Sequence, residues 1–289
     1  MTKQIEHVGS CTGGNTIPLD DEGRAYHFGC KADECANYIL IVSCYKLAEQ
    51  ISTLFDKSEP VFKRESNRGY HTYTGLFKGK RVSVVAFGIG FAMVDFLVRE
   101  LRTINKGPLT FIELGSAPTG SDIKIGTPVV VNDAVAFQID FENFDKDIPY
   151  HIFKKPVPAN AATVAAIENG LKTAKIEYVN GRVASNPSFC AGINAPTPQS
   201  GGIGAFNFKT DGLLELLEKE CGKIASFEMD AYPLLWTSLR ATEKDSIRSA
   251  VVSVVGADLK GNVISEDELN KKLLAVAPVL LEQLGNLQA

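Results

Sequence analysis

The 289-residue sequence predicts a single α/β domain of three layers, with a central mixed sheet flanked by helices. Three observations carry this expectation. Segments of strand character alternate with segments of helical spacing along the whole chain. Residues 38–43 (YILIVS) are apolar on both faces, as in a strand buried inside a parallel sheet. No internal repeat and no long polar linker divides the chain, so residues 26–289 are expected as one domain behind a polar lead of residues 1–25.

The elements follow in order. The buried run leads into a helix over residues 45–55. Residues 69–76 and 80–87 read as a hairpin joined through Phe77, Lys78 and Gly79. The turn Gly88-Ile89-Gly90 then opens a helix at 92–103, and the strand 109–114 is expected to end at Gly115. Gly126-Thr127-Pro128 opens a strand at 129–136, before a helix at 161–173 and a strand at 178–184. Helices at 213–220 and 231–242, a strand at 249–255 and a last helix at 266–284 complete the pattern.

Composition narrows the function classes. The chain is 45% apolar, enough for a substantial core, and its 30 basic and 34 acidic residues are interspersed. A net charge of -4 without basic blocks gives nothing suited to nucleic acid or to a membrane surface. The six cysteines include no C-x-x-C pair and no zinc-like spacing with histidine. Free thiols in a reducing compartment and no metal are the expectation. No apolar h-region opens the chain and no apolar run reaches about 18 residues, so a soluble cytoplasmic protein is expected. The Gly88-Ile89-Gly90 turn lacks the third glycine of a dinucleotide fingerprint, Met93 standing there, and no cofactor is expected.

Ligands of such sheets collect at the carboxyl ends of strands, which directs attention to residues 43–47, 88–92, 115–120, 191–202, 228–230 and 256–261. Four pieces recur there or nearby in a telling order: YHFG at 26–29, FGIGFAMVDFLVREL at 87–101, FIELGSAPTG at 111–120 and FEMDA at 227–231. Together they resemble the nucleoside phosphorylase superfamily, and within it the uridine phosphorylases. The resemblance spans the chain from about residue 26 to the final helix.

The resemblance implies a nucleoside ligand. His27 stands where the family lends a histidine across a dimer interface to the ribose 5′-hydroxyl, although a lone histidine between Tyr26 and Phe28 also suits a structural role. Glu228-Met229-Asp230 stands where a Glu-Met-Glu motif grips the ribose hydroxyls. A carboxylate suits that task because it accepts hydrogen bonds from both hydroxyls and supports charge developing on the sugar. Asp230 is one methylene shorter than the usual Glu, and it also suits capping the helix that starts near Ala231. Gln199 matches one of two base-reading positions, but Gly201 stands where the second carries Arg, and residues 195–204 also read as an ordinary surface loop. Asp258 corresponds to the acid that protonates the base in purine-specific members, with a turn before Lys260-Gly261 as the alternative.

The phosphate-binding pattern is broken. Where the family has Gly-Asp-Pro-x-Arg, this chain has Ser43-Cys44-Tyr45-Lys46-Leu47, and Glu113 replaces a second arginine. Two unit charges 4 Å apart repel by roughly 4 kcal/mol at an effective dielectric of 20, so Glu113 opposes an anion. Arg68, matching an arginine donated across the dimer, and the Ser116 hydroxyl remain, with Lys46 as a partial substitute. Three outcomes follow: nucleoside binding with weak or no phosphorolysis, hydrolysis by water activated at Glu113, or phosphorolysis through Lys46 and Arg68. A fourth is a partner role, in which a homodimer or higher oligomer, or a heterodimer with an active paralogue, uses His27 and Arg68 to complete the neighbour's site.

Overall fold

The computed structural model describes residues 17–188 and 208–288. The chain runs β1 (Tyr38–Val42), α1 (Tyr45–Ser52), β2 (Phe62–Glu65), β3 (His71–Phe77), β4 (Lys80–Ala86) and α2 (Phe91–Ile104). It continues through β5 (Leu109–Thr119), β6 (Pro128–Ile139), β7 (Tyr150–Pro158), α3 (Ala161–Thr173) and β8 (Val179–Ser185). The described remainder is α4 (Leu213–Cys221), β9 (Ser226–Glu228), α5 (Ala231–Leu239), β10 (Ile247–Asp258) and α6 (Glu266–Asn286).

All ten strands join one sheet in the order β2-β3-β4-β1-β5-β10-β6-β8-β9, with β7 beside β6. β4, β1, β5 and β10 are parallel, whereas β6 runs against β10 and carries β8 and β9 parallel to itself. Side chains of β1 alternate between two cores, as the pleat requires. Ile39 and Ile41 pack with Leu97, Leu101 and Leu234 of α2 and α5, while Leu40 and Val42 pack with Leu47, Ile51 and Leu280 of α1 and α6. Helices therefore cover both faces, which is the three-layer arrangement expected. Ahead of the sheet, Leu19 bridges to Ala25, and Ala25 is buried in the first core. No described helix is long and apolar enough to cross a membrane.

Two departures from the sequence pattern position the site. β5 does not stop at Gly115 but runs to Thr119, because β10 pairs with it along that length, Val254 beside Ser116 and Asp258 beside Thr119. β1 accompanies it only as far as the pair Ile41 and Glu113. The strand end containing β9 folds back over the far half of β5: Thr119 Oγ1 donates to the Ala225 carbonyl and Ser121 Oγ to that of Ile224, both at 2.6 Å. A Cβ on Gly120 would stand 2.9 Å from Leu214 and 3.2 Å from Phe227, so glycine permits this approach. β2, β7 and β9 were not expected. β2 (FKRE) is a polar strand, β7 carries two lysines and two prolines, and β9 has only three residues, so none shows a clear apolar period.

Candidate active site

The fold-back brings Glu113 of β5, Glu228 of β9 and Asp230 before α5 together, with one carboxylate oxygen of each within 4.8 Å of the others. Glu113 and Asp230 are 5% and 6% exposed, and Glu228 is half-buried. Glu228 is held from several sides. Ser185 Oγ at the end of β8 donates to its Oε1, and the backbone N–H groups of Asp230 and Ala231 donate to its Oε2, the latter at 2.6 Å. Ser185 Oγ also accepts from Tyr232 N at 2.8 Å, which ties β8 to the first turn of α5. The alternative role of Asp230, capping α5, is not realised: its side chain makes no cap bond on that helix. Glu228 satisfies those N–H groups instead, and Asp230 Oδ1 accepts from Gly90 N at the start of α2. Gly90 has φ +96°, a backbone state that L side chains rarely adopt, so glycine there aims the N–H at the site. The positive end of α2 also favours the anion.

Glu113 is the least compensated member. Among the described residues its Oε2 is buried without a hydrogen-bond partner, and no lysine or arginine pairs with any of the three acids. Burial, then the facing Asp230 and Glu228, push its pKa well above the carboxylate range. Burial and Glu228 likewise push Asp230 up to about 7, with the Gly90 N–H acting in the opposite direction. Burial raises Glu228 too, against the hydrogen bonds from Ser185, Ala231 and Asp230.

The Phosphorylase superfamily model matches residues 38–234, a span that takes in Glu113, Glu228 and Asp230. The chain belongs to that superfamily. It is 30% identical over 221 residues to a uridine phosphorylase of Thermococcus kodakarensis, covering 75% of this chain and 73% of the relative. A uridine phosphorylase of Treponema pallidum is 30% identical over 57% of this chain and 60% of its own length. Among solved structures, one from work on uridine phosphorylases of the oomycete Phytophthora capsici superposes with a TM-score of 0.82 at 24% identity, covering 94% of this chain and 97% of that one. A Trypanosoma brucei nucleoside phosphorylase gives 0.74 at 17% identity over 95% of this chain and 100% of its own. At these identities the two structures establish the fold.

Other residues singled out by the superfamily resemblance fall into separate places. His27 and Arg68 lie together: Arg68 donates to Tyr26 Oη at 3.2 Å and stands over its ring, and Tyr26 packs edge-on against His27. His27 Nδ1 is 2.6 Å from Glu100 Oε1, and its ring stacks on Phe96. Ser43, Lys46 and Ser116 are exposed. Leu47, expected at the pocket in place of an arginine, is instead 5% exposed in the core beneath α1, because the first turn of that helix turns it toward Leu40 and Val42. Asp258 closes its own turn, accepting from Asn262 Nδ2 at 2.7 Å, Asn262 N and Lys260 N, and these bonds hold its pKa low. On β5 and β10, Asp258 pairs with Thr119 whereas Glu113 pairs with Val251, so the two acids are separated along the strands. Gln199 and Gly201 lie outside the described residues.

Sequence reasoning missed Ser185 and Glu100. Ser185 follows directly on the strand expected at 178–184, so the carboxyl-end rule could have found it. Glu100 sits inside the FGIGFAMVDFLVREL helix, 1% exposed, and a lone acid on the buried side of a helix is the signal it gives.

Proposed function

We propose that this superfamily member binds a nucleoside with its ribose against Glu228, Met229 and Asp230, and that inorganic phosphate is not its co-substrate. The observation that carries the reading is Glu113: a buried carboxyl group beside two others occupies the position at which the superfamily resemblance places an arginine. An oxyanion needs N–H donors or guanidinium forks there, and a neutral sugar needs acceptors. Uridine is the first ligand to try, given the names of the relatives. It is expected to raise the melting temperature, and Asp230→Ala is expected to weaken that binding by about 1–3 kcal/mol, the cost of losing a hydrogen bond to a charged acceptor. Unchanged melting with millimolar uridine, inosine and adenosine would sink the nucleoside reading.

A second reading, phosphate-dependent cleavage of uridine, is favoured by the 30% identity to the Thermococcus kodakarensis uridine phosphorylase across most of both chains. Release of ribose-1-phosphate separates the two. Hydrolysis with Glu113 as base is disfavoured by the environment of that carboxyl, since burial beside Asp230 and Glu228 raises its pKa and favours the protonated form, which cannot take a proton from water. Asp258 as an acid for the base has a similar difficulty, its carboxylate being held ionised by Asn262.

The clustering of His27 and Arg68 around Tyr26 supports a dimer in which both reach a neighbouring site, with a homodimer as the simplest form and an active paralogue as the alternative partner. Light scattering of the purified chain at micromolar concentration is expected to give at least twice the monomer mass. A monomer there removes the shared-site reading.

A further inference from the structure

We propose that Glu113, Glu228 and Asp230 bind one hard divalent cation, of the magnesium, manganese or calcium class, through their carboxylate oxygens. Such a cation site goes beyond nucleoside binding and does not depend on it.

Three acids in a group are not a site by themselves. Here a second observation points to a ligand: Glu113 Oε2 is buried and has no hydrogen-bond partner among the described residues, on a side chain that faces two further carboxylates. A buried polar oxygen left unpaired is destabilising, more so when charged, and a cation is the group that would satisfy it among acceptors alone. The geometry is compatible. Two oxygens each about 2.4 Å from one ion lie up to about 4.8 Å apart, and the three ligand atoms fall within 4.8 Å of one another. Two of the ligands are already oriented by donors that leave lone pairs free. Ser185 Oγ and the Asp230 and Ala231 N–H groups fix Glu228, and Gly90 N fixes Asp230. The donor set is oxygen alone, with no histidine or cysteine in the group, which selects a hard ion over zinc or copper. No cationic side chain among the described residues competes for the three acids. The ion would supply positive charge at the place where the superfamily resemblance gives an arginine and this chain has none.

The test titrates the full-length protein with manganese alone, without nucleoside or phosphate, following free Mn2+ by its electron paramagnetic resonance signal. One saturable ion per chain is expected. Glu113→Gln should weaken it about ten-fold or more by removing one charged ligand, while Glu142→Gln, at an exposed acid elsewhere, should leave it unchanged. A second measurement needs no variant: bound Mn2+ should broaden the amide resonances of Gly90 and Ala231 before those of exposed acidic loops. Absence of saturable binding up to millimolar Mn2+ overturns the proposal. So does undiminished binding by a Glu113→Gln protein with wild-type circular dichroism, or broadening that spares Gly90 and Ala231. Because nucleoside binding is measured separately, with a chelator present, either reading can fail while the other stands.

Discussion

Glu113→Gln is expected to stabilise the protein by about 1–3 kcal/mol at pH 8 and by less at pH 5, with both proteins melted in the presence of a chelator. Glu113 is buried, its Oε2 has no partner, and it faces Asp230 and Glu228. Its native pKa is therefore raised, whereas in the unfolded chain the same carboxyl ionises near pH 4.3. Below that value both states carry the proton and ionisation makes no difference between them. Above it, the folded protein binds a proton that the unfolded chain has released, so stability falls as pH rises until the native group itself ionises. Glutamine has nothing to ionise and can donate its amide to the facing carboxylates, so the advantage of the variant opens with rising pH. Asp230, pushed up to about 7, adds a slope of the same sign between about pH 4 and 7. The melting temperature should rise by about 2–4 °C for each kcal/mol in a domain of roughly this size. A variant that melts below wild type at pH 8, or a difference that does not change with pH, contradicts this account of Glu113.

With a chelator present, the wild-type chain is expected to show no saturable phosphate dependence of nucleoside cleavage, and Glu113→Arg to introduce one. If Glu113 holds its proton, the pocket lacks the guanidinium fork; if it ionises, an anion is added, worth roughly 4 kcal/mol of repulsion for unit charges 4 Å apart at a dielectric of 20. In either state Glu228 and Asp230 remain as acceptors beside it. An arginine at 113 would supply donors and pair with both acids. Ser43→Gly added to it removes a Cβ from the exposed turn after β1 and makes the fairer test of the phosphate turn. Leu47→Arg does not belong in that design, despite the resemblance. Leu47 is 5% exposed in the apolar core, and an unpaired charge buried there costs about 3–5 kcal/mol. Ribose-1-phosphate formation across a phosphate titration decides the matter: a hyperbolic rise for the unmodified protein would show that Lys46, Arg68 or another group has taken over from the missing arginines.

The sequence by itself determined the layered α/β fold, through the doubly apolar β1 and the alternation of strand and helix, both short-range patterns that a window of a few residues records. It also determined the superfamily, through four motifs in order, and showed an acid at position 113. The tertiary structure decided what those residues do. β5 continues past Gly115 because β10, more than a hundred residues later, supplies its backbone partners. Leu47 turns inward because α1 must bury its apolar side on β1. Glu228, rather than Asp230, caps α5, and Asp230 reaches the start of α2 instead. The carboxylate group forms only when the strand end carrying β9 folds over β5, joining positions 113 and 228. No local period encodes such a meeting, because it is fixed by the strand order and twist of a ten-stranded sheet and not by the neighbours of either residue along the chain.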